Sequence, residues 1–454
     1  MPAPLSPKEL SLQTNKVYDK SNSVMKYFSC TTMLVSTVII VTLESIAIAN
    51  AEINPEKAVT TFTGDVAPIL YKHCVKCHRT GEMAPMSLIT YKETRPWARS
   101  IKNKILANEM PPWHASPIVG KFLNERRLTE TEKATIVKWV DEGAIEGNPN
   151  KLPNPPRFAV GWKIGTPDIV ITMPTVFKIP AEGDVPYQFF TVPTHFTEDA
   201  WVKAIEVRPG TPSVVHHILV YARIPRELRP SNVFKLISET EYTRRTRTLT
   251  PGVLIGTMGP GTNPLIFESD TALRIPKGTE LIFQIHYTTN GQAAQDQSRI
   301  GLILADSLPK REMRSGYFAN MFFEIPAGEP NQRVDTIIEF IDEVEVFGLF
   351  PHTHLRGKKW EYRLIHPDGQ WKTILSVPKY DFNWQTYYIF EQPLLVTQGD
   401  RIQASAWYDN SATNKANPDP TTVVKWGEQT WEEMQYSGIT YSIPTVTSDS
   451  NNSP

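Results

Sequence analysis

A β-hairpin is encoded by residues Trp360–Val377, WEYRLIHPDGQWKTILSV. Apolar and polar residues alternate on both sides of Pro367-Asp368-Gly369, a tripeptide that is typical of a tight turn. Short runs rich in Val, Ile, Tyr and Phe recur between turn residues, as in Leu281–Tyr287, Ile300–Leu304 and Val344–Phe350. Because the sequence shows no βαβ rhythm or phosphate-binding loop, this pattern predicts antiparallel β-sandwiches.

The length and the composition along the chain predict several domains. The chain has 454 residues, enough for more than one hydrophobic core. Residues 57–148 carry helical patterns, and the Pro- and Asn-rich segment 149–160 is typical of a linker. The remaining length suits two β-sandwiches, for which we expect the bounds 161–307 and 308–443, with a tail over 444–454.

The N-terminus is typical of an export signal. A positively charged region precedes Met33–Leu43, an apolar run that is too short to be a convincing membrane span. Ala49-Asn50-Ala51 is a small-residue cleavage site, so we expect residues 1–51 to be removed, with Met1 or Met25 as the start. The predicted location is the periplasm or the cell exterior. An uncleaved membrane anchor is the alternative.

Composition excludes some classes of partner. Hydrophobic residues make up 40% of the chain and charged residues 21%, and the formal net charge is -1, so a nucleic-acid partner is not expected. The cysteines are Cys30, Cys74 and Cys77. Since the first lies in the predicted signal and the others form one motif, we expect no structural disulfide.

That motif, Cys74-Val75-Lys76-Cys77-His78, has the c-type haem attachment pattern Cys-x-x-Cys-His. The two thiols can reach the two vinyl groups of a porphyrin, and His78 can then ligate the iron. A zinc knuckle would need a second Cys or His pair at the right spacing. A thioredoxin-like redox pair would need a βαβ context. The motif therefore favours covalent haem c.

A second axial ligand is expected on the opposite face of the haem. The candidates are Met83, Met86, Met110 and His114. Met83 and Met86 follow His78 so closely that the chain would struggle to pass around the macrocycle. Met110 follows a helix-like run over 91–108 and precedes two prolines that fix the backbone. His114 is the weaker alternative.

Residues 57–148 resemble class I cytochrome c domains, in which a Met-Pro-Pro segment and a C-terminal helix ending in Trp-Val are common. Here that helix contains Trp139-Val140, and Thr129 and Glu132 fit a capping box at its start. The resemblance implies an all-α cytochrome c domain with Met110 as the axial methionine. Met/His ligation raises the haem potential and suits electron transfer.

The β region contains candidate metal ligands. His352 and His354 lie two residues apart in Phe350–Gly357, FPHTHLRG, so a strand would place both on one face. His216 and His217 are adjacent, and they can bind one ion only if their strand is bulged or ends there. Further candidates are His286 and Met434, and Gln284 lies two residues before His286, where it could hydrogen-bond near the metal.

In sequence order, His-His, Gln-x-His, His-Thr-His-Leu and Glu-Glu-Met resemble the copper type II, ascorbate-dependent monooxygenases over about residues 165–442. That family includes dopamine β-monooxygenase and the peptidylglycine α-hydroxylating enzyme. The resemblance implies two jelly-roll sandwiches with one copper on each. Its electron-transfer copper corresponds to His216, His217 and His286. Its O2-binding, catalytic copper corresponds to His352, His354 and Met434, and a thioether favours Cu(I).

Two positions depart from the peptide-amidating branch. That branch has an Arg, which grips the substrate carboxylate, where this chain has Phe350, and a Tyr where it has Gly438. A peptidylglycine substrate is therefore not expected. The chain also has no cysteines for the disulfides of the animal members.

The sequence thus predicts a copper-dependent monooxygenase that hydroxylates a C–H bond of a small organic substrate: R–H + O2 + two electrons + two protons give R–OH + water. The fused haem would deliver the electrons, which it receives from a periplasmic cytochrome or a small reductant. The alternative is a non-catalytic haem- and copper-binding electron carrier or sensor. Loss of one copper, or zinc hydrolysis at the three histidines, also stays open.

Overall fold

The structure of the protein is a computed structural model. It describes residues 59–80, 82, 84–158, 161–237, 252–259, 264–268 and 270–445. The predicted signal with Cys30, the candidate ligand Met83 and most of the predicted tail lie outside the described residues. In the part of the chain that is described, none of the helices has the length and apolar character needed to cross a membrane.

Helices occupy the first described part of the chain. The α-helices are α1 (Ala67–His73), α2 (Tyr91–Thr94), α3 (Ala98–Leu106) and α4 (Glu130–Asp141). Shorter helical turns are Phe62–Val66, Arg95–Trp97, Pro149–Lys151 and Arg226–Leu228. The helical run predicted over 91–108 is divided into α2, a 3-10 turn and α3, because Pro96 cannot donate a hydrogen bond within a continuous helix.

The predicted capping box at the start of α4 is confirmed. The Thr129 hydroxyl accepts a hydrogen bond from the Glu132 backbone N–H, and the Glu132 carboxylate accepts one from the Thr129 N–H. Glu132 also contacts His73 at the end of α1. Trp139 on α4 is fully buried against Phe62, at 6.1 Å between ring centroids. These contacts pack α4 against the start of the helical region.

Mostly antiparallel strands follow, as predicted from the alternating pattern. The first are β1 (Ile169–Thr172), β2 (Phe177–Ile179), β3 (Gln188–Pro193), β4 (Ala200–Arg208), β5 (Val215–Arg223), β6 (Phe234–Leu236), β7 (Val253–Met258), β8 (Leu265–Ile266), β9 (Thr271–Ile275), β10 (Glu280–Tyr287), β11 (Ala294–Asp296) and β12 (Arg299–Leu304). The rest are β13 (Arg311–Ala319), β14 (Glu324–Ile325), β15 (Gln332–Phe340), β16 (Val344–His352), β17 (Gly357–Ile365), β18 (Trp371–Val377), β19 (Tyr388–Val396), β20 (Arg401–Tyr408), β21 (Val424–Lys425) and β22 (Tyr436–Pro444).

The strands form two sandwiches that share one sheet. A 9-stranded sheet has the order β1-β12-β4-β9-β13-β22-β16-β19, with β8 paired to β4. A 4-stranded sheet, β3-β10-β5-β7, shares one core with the first half of it, and a 5-stranded sheet, β18-β17-β20-β15-β6, shares a second core with the other half. The large sheet runs across the predicted domain boundary at residue 308, because β9 and β13 pair in parallel. The predicted hairpin is present as β17 and β18.

The segment after α3 joins the helical region to the second sandwich. Trp113 and Phe122 are buried in the core of that sandwich, where Trp113 lies 5.1 Å from Tyr388 between ring centroids. The Leu123 N–H donates to the Ile389 carbonyl at 2.9 Å, and Phe122 forms a β-bridge with Phe390. The helical region is therefore packed against the β region rather than only tethered to it.

We expect Phe122→Ala to lower the free energy of unfolding by about 3–5 kcal/mol, because it leaves a cavity in a packed aromatic cluster. Leu123→Ala is the matched control: Leu123 is 65% exposed and Phe122 is 6% exposed. The control should change the free energy by less than about 0.5 kcal/mol. Urea unfolding of both variants measures the difference, and equal effects would contradict the assignment of Phe122 to this core.

Candidate metal centres

Three predicted ligands come together on two neighbouring strands. His217 on β5 lies directly opposite His286 on β10 in the antiparallel register. The register then shifts, so that Tyr287 pairs with Val215 and His216 is the extra residue of a β-bulge. A bulge is one of the two conditions under which adjacent histidines on a strand were expected to bind one ion. One ring nitrogen from each of His216, His217 and His286, the three-histidine cluster, lies within 4.8 Å of the others.

The surroundings of the three-histidine cluster suit a metal ion. The buried Nδ1 atoms of all three rings and Nε2 of His217 have no hydrogen-bond partner among the described residues. Burial lowers the pKa of each ring, to about 4 for His286, so the imidazoles are neutral at pH 7. Neutral imidazole is the form that binds metals, and three such ligands fit copper or zinc. Unpartnered buried polar atoms are costly unless a ligand satisfies them.

Tyr187 and Gln284 lie around this cluster. The Tyr187 ring packs edge-on against His286, with 5.0 Å between ring centroids. The Gln284 side chain faces Tyr221, whose hydroxyl donates to Gln284 Oε1 at 3.4 Å. Gln284 therefore lies beside the cluster but bonds to a tyrosine, so its predicted hydrogen bond near the metal stays a prediction.

His352 and His354 come together in a different way from the one the spacing suggested. β16 ends at His352, and His354 lies in the turn that follows, so alternation along one strand does not align the two rings. The ring centroids are nevertheless 5.2 Å apart. Burial lowers the pKa of His352 to about 4 and that of His354 to about 3. Both rings are therefore neutral at pH 7.

The buried carboxylate of Glu433 fixes that turn. One of its oxygens accepts the His354 N–H at 2.8 Å and the Met434 N–H at 3.3 Å. The other accepts the Arg356 N–H at 2.6 Å. Burial raises the pKa of Glu433 to about 7, against these hydrogen bonds and the nearby Arg356 charge. Glu433 thus joins the segment carrying His354 to the segment carrying Met434, a role that its place in the Glu-Glu-Met motif alone did not reveal.

A hydrogen bond at Nδ1 orients each of the His352 and His354 rings. His352 Nδ1 is hydrogen-bonded to Gln385 Oε1 at 3.0 Å, and His354 Nδ1 to the Glu432 carbonyl at 3.2 Å. With Nδ1 donating, Nε2 of each ring is the nitrogen that can bind a metal. Gln385 could not be predicted as a partner of His352, because it lies 33 residues away in the chain.

Ligands of both sets line one cavity of about 70 Å³, the small cavity. His217 belongs to its wall on one side, and the His-His-Met set of His352, His354 and Met434 on the other. Burial is the largest cause of the lowered pKa of His217, followed by the repulsion that protonated His286 and His216 would exert. Protonated His352 and His354 would contribute in the same direction. The Phe382 ring lies between the sets, 6.4 Å from His216 and 6.0 Å from His354 between centroids.

The two departures from the amidating branch are direct neighbours in the sheet. Phe350 on β16 pairs with Gly438 on β22. A Cβ atom on Gly438 would lie 3.0 Å from the Phe350 Cβ, so the large residue and the glycine complement each other. Phe350 also lies parallel to His352, with centroids 6.0 Å apart, and lines the small cavity. An aromatic ring therefore lies at the position where the amidating branch has its carboxylate-binding Arg.

The Cys-x-x-Cys-His motif lies on a second, larger cavity. The His78 N–H donates to the Cys74 carbonyl at 2.9 Å, so the motif forms a turn after α1. Cys74, Cys77, His78 and Met110 all line a cavity of about 650 Å³, the junction cavity, and so does Met86. Burial raises the pKa of Cys74 to about 12 and lowers that of His78. The size and the donors suit a large planar cofactor.

Comparison with known proteins supports the family that the motifs predict. Residues 332–449 match the family model for the C-terminal domain of copper type II ascorbate-dependent monooxygenase. Human DBH-like monooxygenase protein 2 is 25% identical over 213 residues, 43% of this chain and 42% of the relative. Mouse DBH-like monooxygenase protein 1 is 23% identical over 287 residues, 58% of this chain and 45% of the relative. The chain thus spans less than half the length of these relatives.

Similarity to solved structures is low. The major capsid protein P2 from bacteriophage PM2 is 12% identical, with a TM-score of 0.26 over 62% of this chain and 99% of that one. Such a score supports no functional conclusion.

We expect Glu433→Gln to lower the free energy of unfolding by about 1–3 kcal/mol, because the new amide NH2 cannot accept a hydrogen bond and leaves a buried N–H without an acceptor. It should also weaken copper binding by the His-His-Met set by about 10–100-fold, because residue 433 no longer accepts hydrogen bonds from both His354 and Met434. Glu428→Gln in the wall of the small cavity is the control. Urea unfolding and copper titration are the measurements. Identical behaviour of the two variants would refute the role of Glu433 in holding His354 and Met434 in place.

Proposed function

We propose that this chain is a copper-dependent monooxygenase that hydroxylates a C–H bond of a small organic substrate with O2 and receives electrons through a covalently bound haem c. In this proposal the three-histidine cluster holds the electron-transfer copper and the His-His-Met set holds the O2-binding, catalytic copper. Residues 74–78 and Met110 hold the haem. A periplasmic or secreted location, with the signal removed, is part of the same proposal.

One observation carries the proposal: ligands of both candidate copper sites face the same small cavity. A substrate and O2 admitted there would lie beside the His-His-Met set and within reach of the other cluster. The two sets of ligand atoms differ as expected for one electron-transfer copper and one O2-binding copper. Three imidazoles suit copper in both oxidation states, whereas the thioether of Met434 favours Cu(I), the state that reacts with O2.

The protein's own residues have three tasks in this chemistry. The buried histidines stay neutral, so no proton competes with the metal at pH 7. Glu433 and Gln385 hold the rings of the His-His-Met set in one orientation. Copper, when bound, would supply one-electron transfer and O2 activation. Phe382 lies between the two sets and packs against His216 and His354.

The wall of the small cavity indicates the chemical class of the substrate. It includes Phe350, Leu219, Leu254, Met321 and Trp426. Since Phe350 replaces the carboxylate-binding Arg of the amidating branch, an apolar organic group fits this wall better than a peptide carboxylate. This supports a small, largely apolar substrate.

The junction cavity supports the haem assignment by its charge as well as its size. Its lining includes Lys72, Lys76, Lys104 and Arg126. Burial lowers the pKa of Lys76, and the Arg126 charge lowers it further. Lys72 and Lys104 form ion pairs with Glu132 and Glu109. The basic side chains of this lining suit the anionic propionates of a haem.

Metal content per covalent haem tests the proposal. Protein isolated from a periplasmic fraction and loaded with copper under air should contain two coppers per haem, with type 2 electron paramagnetic resonance and no blue absorption. Copper-dependent O2 uptake with a panel of small aryl and alkyl compounds then tests for hydroxylation. Zinc in the three-histidine cluster would favour a hydrolase. Two coppers without substrate-dependent O2 uptake would favour an electron carrier or sensor.

We expect Met434→Ala to abolish hydroxylation and leave reduction of the haem intact, because the thioether belongs to the O2-binding copper and lies outside the junction cavity. Met321→Ala is the matched control for copper content, since it removes a thioether from the wall of the same small cavity. Product analysis, copper content and the haem absorption spectrum are the measurements. Normal turnover of Met434→Ala would contradict the ligand assignment.

A further inference from the structure

The junction cavity shares a wall with one of the two candidate copper sites. On one side its lining comes from the helical region, with Cys74, Cys77, His78 and Met110. On the other side the lining is the turn and strand start at Pro212–His216, which leads into the β-bulge. His216 therefore belongs both to the three-histidine cluster and to the cavity that holds the Cys-x-x-Cys-His motif.

His216 lies next to the other members of its cluster. Its ring centroid is 5.2 Å from that of His286 and 5.4 Å from that of His217. The described lining of the junction cavity includes His216 but not His352, His354 or Met434, which line the small cavity. A group in the junction cavity would therefore touch a ligand of one copper site and no ligand of the other.

The loop Phe382–Gln385 lies between the junction cavity and the His-His-Met set. Asn383 and Trp384 line the junction cavity. Phe382 packs between His216 and His354, and Gln385 is hydrogen-bonded to His352. This loop separates the junction cavity from the His-His-Met set by side chains, whereas His216 lines the same cavity as the motif. The geometry therefore gives the two copper sites unequal access to the haem.

We infer that His216 is the ligand through which electrons enter the copper sites: haem in the junction cavity reduces the copper of the three-histidine cluster directly and does not directly reduce the copper of the His-His-Met set. This inference rests on the proposed function for the identity of the two metals and the haem. The step is Fe(II) + Cu(II) giving Fe(III) + Cu(I), with no proton transferred. A one-electron donor in solution, a small cytochrome or ascorbate, returns the haem to Fe(II).

The test delivers one electron to the haem of the complete, copper-loaded protein under anaerobic conditions, by flash photoreduction with a flavin. Decay of the ferrous haem absorption then reports transfer to Cu(II). His286→Ala removes a ligand of the three-histidine cluster that is outside the junction cavity lining, and Met434→Ala removes a ligand of the other site. The fast decay should persist in Met434→Ala and be lost in His286→Ala, although the remaining copper is still bound.

A second readout does not depend on electron transfer. Cu(II) close to ferric haem shortens the spin relaxation of the haem signal in pulsed electron paramagnetic resonance. This shortening should be retained in Met434→Ala and lost in His286→Ala. Covalent haem content and circular dichroism establish that each variant is folded, and His216→Gln provides a second disruption of the cluster if His286→Ala does not fold.

The opposite pattern, with fast decay lost in Met434→Ala and kept in His286→Ala, would overturn the inference. So would decay that is the same in all variants, or a purified protein without covalent haem. The first two outcomes are distinct from failure of the proposed function, whereas a protein without covalent haem would also contradict its haem assignment. A protein that transfers the electron as described but hydroxylates no substrate would retain the inference and lose the monooxygenase assignment.

Discussion

The buried carboxylate of Glu433 is the interaction on which the arrangement of the second candidate metal site depends. A charge removed from water is costly unless it is paired and hydrogen-bonded. Here backbone N–H groups of His354, Arg356 and Met434 donate to it. Arg356 is itself buried, and its Nε donates to Asn410 Oδ1 at 2.9 Å. These hydrogen bonds can all form only when the turn after β16 lies beside the segment before β22. The buried hydrogen-bond network therefore fixes the position of the two ligand-bearing segments.

The three-histidine cluster uses a different device for the same purpose. This cluster has no buried charge. Strict alternation along β5 would place His216 and His217 on opposite faces of the sheet, and the β-bulge at His216 removes that alternation. The cost of the lost pairing at the bulge is local, and the antiparallel register of β5 and β10 continues on the other side. The two candidate sites thus differ in structural origin as well as in ligand type. One depends on a strand irregularity, and the other depends on a hydrogen-bonded turn.

Much of this arrangement could be predicted from local sequence, and the rest depends on contacts distant in the chain. The hairpin of β17 and β18 and the capping box of α4 were predictable because each is set by residues a few positions apart. The need for a bulge at His216 followed from the period of a strand. By contrast, Gln385 bonds to His352, and Phe382 packs between His216 and His354, through contacts that no spacing encodes. The pairing of β9 with β13 joins the two sandwiches into one sheet. Tertiary packing alone determines these features.

The same distinction explains how the helical and β regions depend on each other. A Pro-rich linker at 149–160 suggested separable domains, and local composition could not reveal that the chain had already entered the β core earlier, at Trp113. Met110 is followed by two prolines and then by this buried tryptophan, which packs on Tyr388. The backbone between Met110 and Trp113 has little freedom because prolines fix φ. The position of Met110 in the junction cavity is therefore set by the core of the second sandwich, and the cavity forms only when both regions are packed together.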